Sequence, residues 1–180
     1  MSSIVVIGAG LSGMSAAYEL RDILGKGHRI TVVGDGERFS FTPSNPWVAV
    51  GWRKPEDITL KAGDYLTRKG VAFRADGVAK IEAAHDRIVT GDGSVLEYDY
   101  LLVCTGPKLA FEEVPGSGPE GGFTQSICTT PHAQRAWAAY EAFLERPGPI
   151  VVGAMAGASC FGPAYEFAMI LDADLRKRKL

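Results

Sequence analysis

Residues 4–13, Ile-Val-Val-Ile-Gly-Ala-Gly-Leu-Ser-Gly, constrain the fold more than any other stretch of the chain. A β-branched run meets glycines at once, and a helical pattern follows in which Met14, Ala17, Tyr18, Leu20 and Leu24 fall near one face. Gly25 and Gly27 stop that helix, and Arg-Ile-Thr-Val-Val at 29–33 reads as a second strand. The result is a β-α-β unit of about 30 residues with G-x-G-x-x-G at its first turn. In such a unit Gly8 permits the tight turn, Gly10 admits a pyrophosphate to the backbone, and Gly13 lets the helix sit close to the strand. The free amides and dipole at the helix start favour the phosphate charge. Gly8, Ala9, Gly10, Leu11, Ser12 and Gly13 are therefore the candidate phosphate contacts. The plainer alternative is a glycine-rich turn with no ligand.

A dinucleotide site of this kind uses an acidic residue at the end of the second strand to hold ribose hydroxyls. Gly34 fills that position here and Asp35 comes one later, 22 residues past Gly13. No arginine directly follows the strand, so a 2′-phosphate is not indicated.

Beyond this unit, the aromatic and proline-rich stretch 39–47 reads either as a packed Ω-loop or as a wall against a flat ring system. A short helix at 61–69 leads to a strand at 71–74, and strands at 78–81, 87–90 and 95–98 form a β-meander. Residues 100–104 are a buried strand ending in Thr105-Gly106-Pro107, and 108–130 are loop-like and rich in Gly and Pro. Thr130-Pro131 is expected to start a helix reaching about residue 145, with Ala133, Ala136, Trp137, Tyr140, Phe143 and Leu144 on one face. Residues 149–153 read as a strand, and Pro163 starts a last helix that runs into Arg176-Lys177-Arg178-Lys179.

Composition removes several classes. The formal net charge is −2, without the concentrated Lys/Arg surface that phosphate neutralisation of nucleic acid needs. No apolar run approaches the roughly 18 residues of a membrane span. The start of the chain has no basic n-region and reads as a strand instead of a signal peptide, so a cytoplasmic chain is expected. Cys104, Cys128 and Cys160 contain no C-x-x-C pair, so neither a zinc site nor a disulfide scaffold is expected, and no metal is assigned.

Several segments together resemble the sulfide:quinone oxidoreductases of the two-dinucleotide-binding-domain flavoprotein superfamily. The glycine turn and Cys104-Thr105-Gly106-Pro107-Lys108-Leu109 are shared with the whole superfamily. More specific are 41–52 (Phe-Thr-Pro-Ser-Asn-Pro-Trp-Val-Ala-Val-Gly-Trp), 126–129 (Ser-Ile-Cys-Thr) and 153–166 (Gly-Ala-Met-Ala-Gly-Ala-Ser-Cys-Phe-Gly-Pro-Ala-Tyr-Glu). The resemblance implies FAD, with pyrophosphate at the glycine turn and ribose near Gly34 and Asp35. It sets the flavin between Thr42 and Pro43, adenine near Gly77 and Val78, and Thr105-Gly106 over the cofactor. After Val152 the spacing of a second G-x-G-x-x-G is broken, so nicotinamide binding is not expected and the electrons should come from a sulfur substrate.

Cys160 lies three residues before Pro163, at a helix start where dipole and free amides stabilise a thiolate. By resemblance it carries sulfide sulfur as a persulfide, and the electrons pass through FAD to a quinone. Cys128, also ahead of a helix, takes an essential sulfur-handling role in the family; the alternative is a structural thiol. Glu166 is either a proton acceptor or an ordinary first-turn carboxylate favoured by the dipole, and His132 either a neutral proton shuttle or a solvated histidine. Cys104 belongs in the core, and core packing is the default for Trp47 and Trp52.

The expected architecture is α/β: a Rossmann-like FAD-binding domain at 1–112 with a parallel sheet and a β-meander, a connecting loop and helix at 113–147, and at 148–180 the first β-α unit of a truncated second Rossmann-like domain. A partner cysteine for Cys160 and the amphipathic helices that place family members on the inner membrane as peripheral proteins fall after Leu180. The chain alone is therefore expected to lack sulfide:quinone turnover, and its uncovered apolar surface to promote self-association as a homo-oligomer. Two other readings are a non-catalytic FAD-binding module and the flavoprotein subunit of flavocytochrome c sulfide dehydrogenase. A type II NADH dehydrogenase ranks behind both, since it would keep a second glycine fingerprint.

Overall fold

A computed structural model describes residues 1–158 and 160–180, so Ser159 of the 153–166 motif lies outside the described residues. The chain forms two compact units, one from Met1–Ser40 with Thr59–Lys108, the other from Phe41–Ile58 with Leu109–Leu180. These boundaries cut the chain differently from the contiguous segments 1–112, 113–147 and 148–180, because residues 41–58 leave the first unit to join the second.

The first unit is built on four parallel strands, β1 (Ser3–Ile7), β2 (Arg29–Val33), β5 (Ala72–Arg74) and β9 (Tyr100–Val103), in the order β5-β2-β1-β9. The unbroken β-branched run of β1 follows from burial on both faces, as parallel sheets require. Ile4 and Val6 face a cluster with Ala17, Ile30, Val32 and Leu66, which α1 (Leu11–Leu24) and α3 (Ala62–Arg68) cover. Val5 and Ile7 face the opposite way, into a cluster with Val33 and Ile88. That second face is covered by the antiparallel meander β6 (Val78–Glu82), β7 (Arg87–Thr90) and β8 (Val95–Glu97), the meander expected at 78–98. A short ribbon of β3 (Arg38–Ser40) and β4 (Thr59–Lys61) was not legible in the sequence.

The second unit is helical. The stretch expected as a loop or ring wall instead forms a 3₁₀ turn at Thr42–Ser44 and then α2 (Asn45–Ala49), whose Asn45, Val48 and Ala49 are buried. Pro46 in the first turn suits this helix, since its missing N–H has no intrahelical acceptor to lose. Two longer helices are α4 (Thr130–Glu145) and α5 (Gly162–Arg178). The N-cap of α4 is Thr129, one residue earlier than expected, because its hydroxyl accepts from the His132 N–H at 3.2 Å. The expected strand at 149–153 does not form: those residues pair with no described strand, and an extended segment without a ladder partner gains no sheet hydrogen bonds.

Candidate functional site

Because the four strands of the sheet run parallel, their C-terminal ends share one edge, and the chain leaves β1, β2, β5 and β9 there through glycine-containing turns. Gly8 has φ +105° and donates its N–H to the Val33 carbonyl at 2.8 Å; a Cβ on it would stand 2.2 Å from the Cys104 carbonyl oxygen. Gly13, buried in α1, is held against Gly8, with a Cβ position 1.8 Å from the Gly8 oxygen. Gly10 differs from both. It caps α1 in an extended conformation, no side chain bonds to the helix start, the first turn has no acidic residue, and nothing lies within 4 Å of its Cβ position. The helix thus opens with free amides facing clear space, the arrangement that receives a phosphate. Leu11 and Ser12 are exposed beside it, while Ala9 is buried.

The end of β2 explains why Gly34 stands in place of an acidic residue. A Cβ there would approach Ala9 Cβ to 3.0 Å and Phe73 Cε2 to 3.1 Å, so any side chain would be crowded and glycine is the easy fit. Asp35, exposed, takes up the next position and bridges to Asp76, and the Gly77 N–H donates to the Gly34 carbonyl at 2.9 Å. Arg74 fixes this corner by bonding Asp76 at 2.8 Å and Asp92 at 2.7 Å. Its guanidinium holds the Asp76 carboxyl below the usual carboxylate range. Val78 begins β6 directly after Gly77, and Thr105 and Gly106 stand exposed beyond β9. The phosphate, ribose and adenine candidates of the first unit thus gather along one sheet edge. Cys104, half-buried, packs on the core as expected.

In the second unit Thr42 and Pro43 are exposed in the 3₁₀ turn ahead of α2. Cys128 is an exposed free thiol immediately before the N-cap of α4. Its backbone N–H donates to Ser126 Oγ at 3.2 Å, and the same oxygen lies 3.3 Å from His132 Nδ1. One hydroxyl therefore ties together the two candidates Cys128 and His132, and the Phe111 ring packs on the imidazole with centroids 5.6 Å apart. Cys160, also exposed and free, stands immediately before Phe161, the N-cap of α5. Glu166 is the fifth residue of α5 and exposed, past the first turn, so it is not a first-turn carboxylate.

Contacts between α4 and α5 fix their relative direction. Phe167 packs on the cluster containing Ala133 and Ala136, and further along Tyr140 groups with Ile170 and Leu171. Positions ascend together along both helices, so the two run the same way and Cys128 and Cys160 precede ends on the same side. Asp174, 2% exposed, accepts from Trp52 Nε1 at 2.7 Å and Tyr140 Oη at 2.8 Å, and pairs with Arg178 at 2.6 Å. Burial opposes its charge, but hydrogen bonds from Trp52, Arg178 and Tyr140 outweigh that and hold the carboxyl below its ordinary range. Burial, and then the bond to Asp174, pushes the Tyr140 phenol up to about 12. Neither Ser126 nor Asp174 stood out as a site residue in the sequence, since a serine in a loop and an aspartate near a basic helix end look solvated until the fold pairs them.

A parallel sheet with helices on one face and an antiparallel meander on the other, carrying a glycine turn and an uncapped helix start at its C-terminal edge, defines a Rossmann-like fold. The sequence profile of the pyridine nucleotide-disulphide oxidoreductases matches residues 2–155, and the chain belongs to that family. It is 41% identical over 175 residues to the sulfide-quinone reductase of Aquifex aeolicus, covering 97% of this chain and 40% of that one. With the mitochondrial sulfide:quinone oxidoreductase of Dictyostelium discoideum it shares 25% identity over 181 residues, 98% of this chain and 39% of the relative. The crystal structure of the sulfide:quinone oxidoreductase from Aquifex aeolicus superposes with a TM-score of 0.89 at 40% identity, over 99% of this chain and 40% of that one. The chain therefore spans about two fifths of the length of these relatives. Among the described residues no helix is long and apolar enough to cross a membrane, and no cluster of three or more His, Cys, Asp or Glu side chains is arranged to hold a metal ion.

Proposed function

We propose that this chain binds FAD along the C-terminal edge of its parallel sheet and supplies part of the sulfur-handling machinery of a sulfide:quinone oxidoreductase. The observation that carries the cofactor assignment is the open space at Gly10, at the start of an uncapped fourteen-residue helix, bounded by two glycines that pack against backbone. The pyrophosphate is held by amides of residues 10–13, the ribose by Asp35, and the adenine lies along Gly77 and Val78. Thr105 and Gly106 close over the cofactor. FAD, when bound, accepts the two electrons released as a thiol and sulfide sulfur join, and hands them on to a quinone.

The remaining work falls to side chains of the second unit. Cys160 is exposed ahead of a seventeen-residue helix whose dipole favours a thiolate, so we assign to it the uptake of sulfide sulfur as a persulfide. Cys128 is the second thiol. His132 is oriented by Ser126, a geometry suited to holding or passing a proton next to Cys128. Glu166, solvent-exposed on α5, is the second proton acceptor.

Titrating the purified chain with FAD tests the first half. Visible flavin absorbance should survive desalting, and failure to retain flavin at any ratio would overturn the assignment. Sulfide added to the loaded chain should bleach that absorbance, and Cys160→Ser should abolish the bleaching. Because the chain spans about two fifths of its relatives, steady quinone reduction by it alone is not expected. The alternative, a flavin-binding module without sulfur chemistry, would be marked by retained flavin that sulfide leaves unbleached.

A further inference from the structure

Helix α5 carries apolar side chains on two faces. Phe167, Ile170 and Leu171 pack into the clusters of the second unit. Tyr165 and Met169, with Phe161 at the cap, point outward, and Met169 is 72% exposed. Hydrophobic burial is non-directional and scales with area, so it discriminates weakly between two faces of similar apolar content. Something else must decide which face turns inward.

Asp174 shares the inward face with Phe167, Ile170 and Leu171, at positions three, four and seven residues apart. Both its oxygens are used: Oδ1 accepts from Trp52 Nε1, and Oδ2 accepts from Tyr140 Oη and Arg178 Nε. Turning α5 to bury Tyr165 and Met169 would carry the carboxylate away and leave Trp52 and Tyr140 without this acceptor. Hydrogen bonds are directional where apolar contact is not, so these bonds fix rotation and axial register together. Trp52 follows α2, and Tyr140 lies on α4, so one carboxylate indexes α5 against both α2 and α4.

We propose that Asp174 is a positioning residue that selects the rotational setting of α5 and thereby the presentation of Cys160 and Glu166 next to the Cys128 end of α4. The consequence for catalysis rests on the sulfur-handling role proposed above; the rotational claim stands apart from it.

The test reads rotation directly. In chains with Cys104, Cys128 and Cys160 replaced by alanine, a single probe is placed by Met169→Cys or by Leu171→Cys and reacted with a maleimide. With Asp174 present, the outward probe should label roughly 10-fold or more faster than the inward one. Asp174→Leu removes both oxygens and puts a larger apolar side chain in their place, and should slow the outward probe and speed the inward one until the two rates lie within about 3-fold of each other while the helical circular dichroism persists. A ratio that stays unchanged in Asp174→Leu overturns the proposal, and so does one that falls only because the inward probe speeds up, since lost stability opens the inward site without slowing the outward probe. If Asp174→Leu loses its helical signal, Trp52→Phe combined with Tyr140→Phe decides instead, removing the two donors while keeping an aromatic ring at each position. The same collapse of the ratio is expected there, and an unchanged ratio overturns the claim. Failure of the sulfide chemistry would leave the labelling ratio untouched.

Discussion

Gly10 and Gly13 stand three residues apart in one turn and answer to different constraints. A methyl at Gly13 would collide with the Gly8 carbonyl, which belongs to backbone and cannot swing aside. Gly13→Ala is therefore expected to cost about 3 kcal/mol or to prevent folding. A methyl at Gly10 meets no protein atom, and the loss there is only that of a poorer helix cap, about 1 kcal/mol. Yet it intrudes on the space assigned to the pyrophosphate. Gly10→Ala should thus melt close to the parent chain while its flavin retention falls at least tenfold; calorimetry and a flavin titration on the same preparation separate the two. This turn was legible because steric demands of that kind leave only glycine. Gly34 was legible as a departure, but its reason was not, for it lies in the crowding by Ala9 and Phe73, residues distant from it in the chain.

At the scale of elements, the meander offers a pH test. Glu82 at the end of β6 bonds Lys80 at 2.7 Å and Arg87 at 2.6 Å, and these two cations hold its carboxyl down to about 2 from an ordinary 4.5. A folded-state value below the unfolded one means that stability is present above pH 4.5 and drains away as pH falls toward 2. Melting temperature should drop through that window, and Glu82→Gln should flatten part of the slope. An identical slope in the variant would remove Glu82 from the account. The elements themselves were largely readable where periodicity ran long, as in α1, α4 and α5. Reading failed where context decides. The helix at Asn45 hides inside a Pro- and aromatic-rich stretch, and its asparagine is fully buried with its carbonyl oxygen accepting from Thr130, 85 residues away. The segment 149–153 has the right residues for a strand, but a strand needs a neighbour as well as a composition.

For the whole molecule, two measurements follow. Ligand that binds only the folded state stabilises it by mass action, so FAD at about a hundred times its dissociation constant should add ~2.7 kcal/mol. That gain appears as a rise in melting temperature, and its absence would speak against the sheet edge as a flavin site. Val151, Phe161, Tyr165 and Met169 are exposed apolar side chains in the second unit, and light scattering should detect association that grows with concentration. Tyr165→Glu with Met169→Glu should weaken it. The candidate thiols were visible in the sequence from their place before helices. That α4 and α5 run the same way, bringing both thiols to one side, came only from side-chain packing that no spacing encodes.

The interleaving of the two units in sequence bears on how the chain acquires its structure in time. Strand β9 closes the parallel sheet only after residue 103 exists, and the inserted segment 41–58 waits longer still, for α4 and α5 to cover Val48, Ala49 and Val50. Contacts of such long sequence separation are slow to form. During synthesis on the ribosome the apolar stretch around Trp47 is therefore expected to stay uncovered until α5 has emerged.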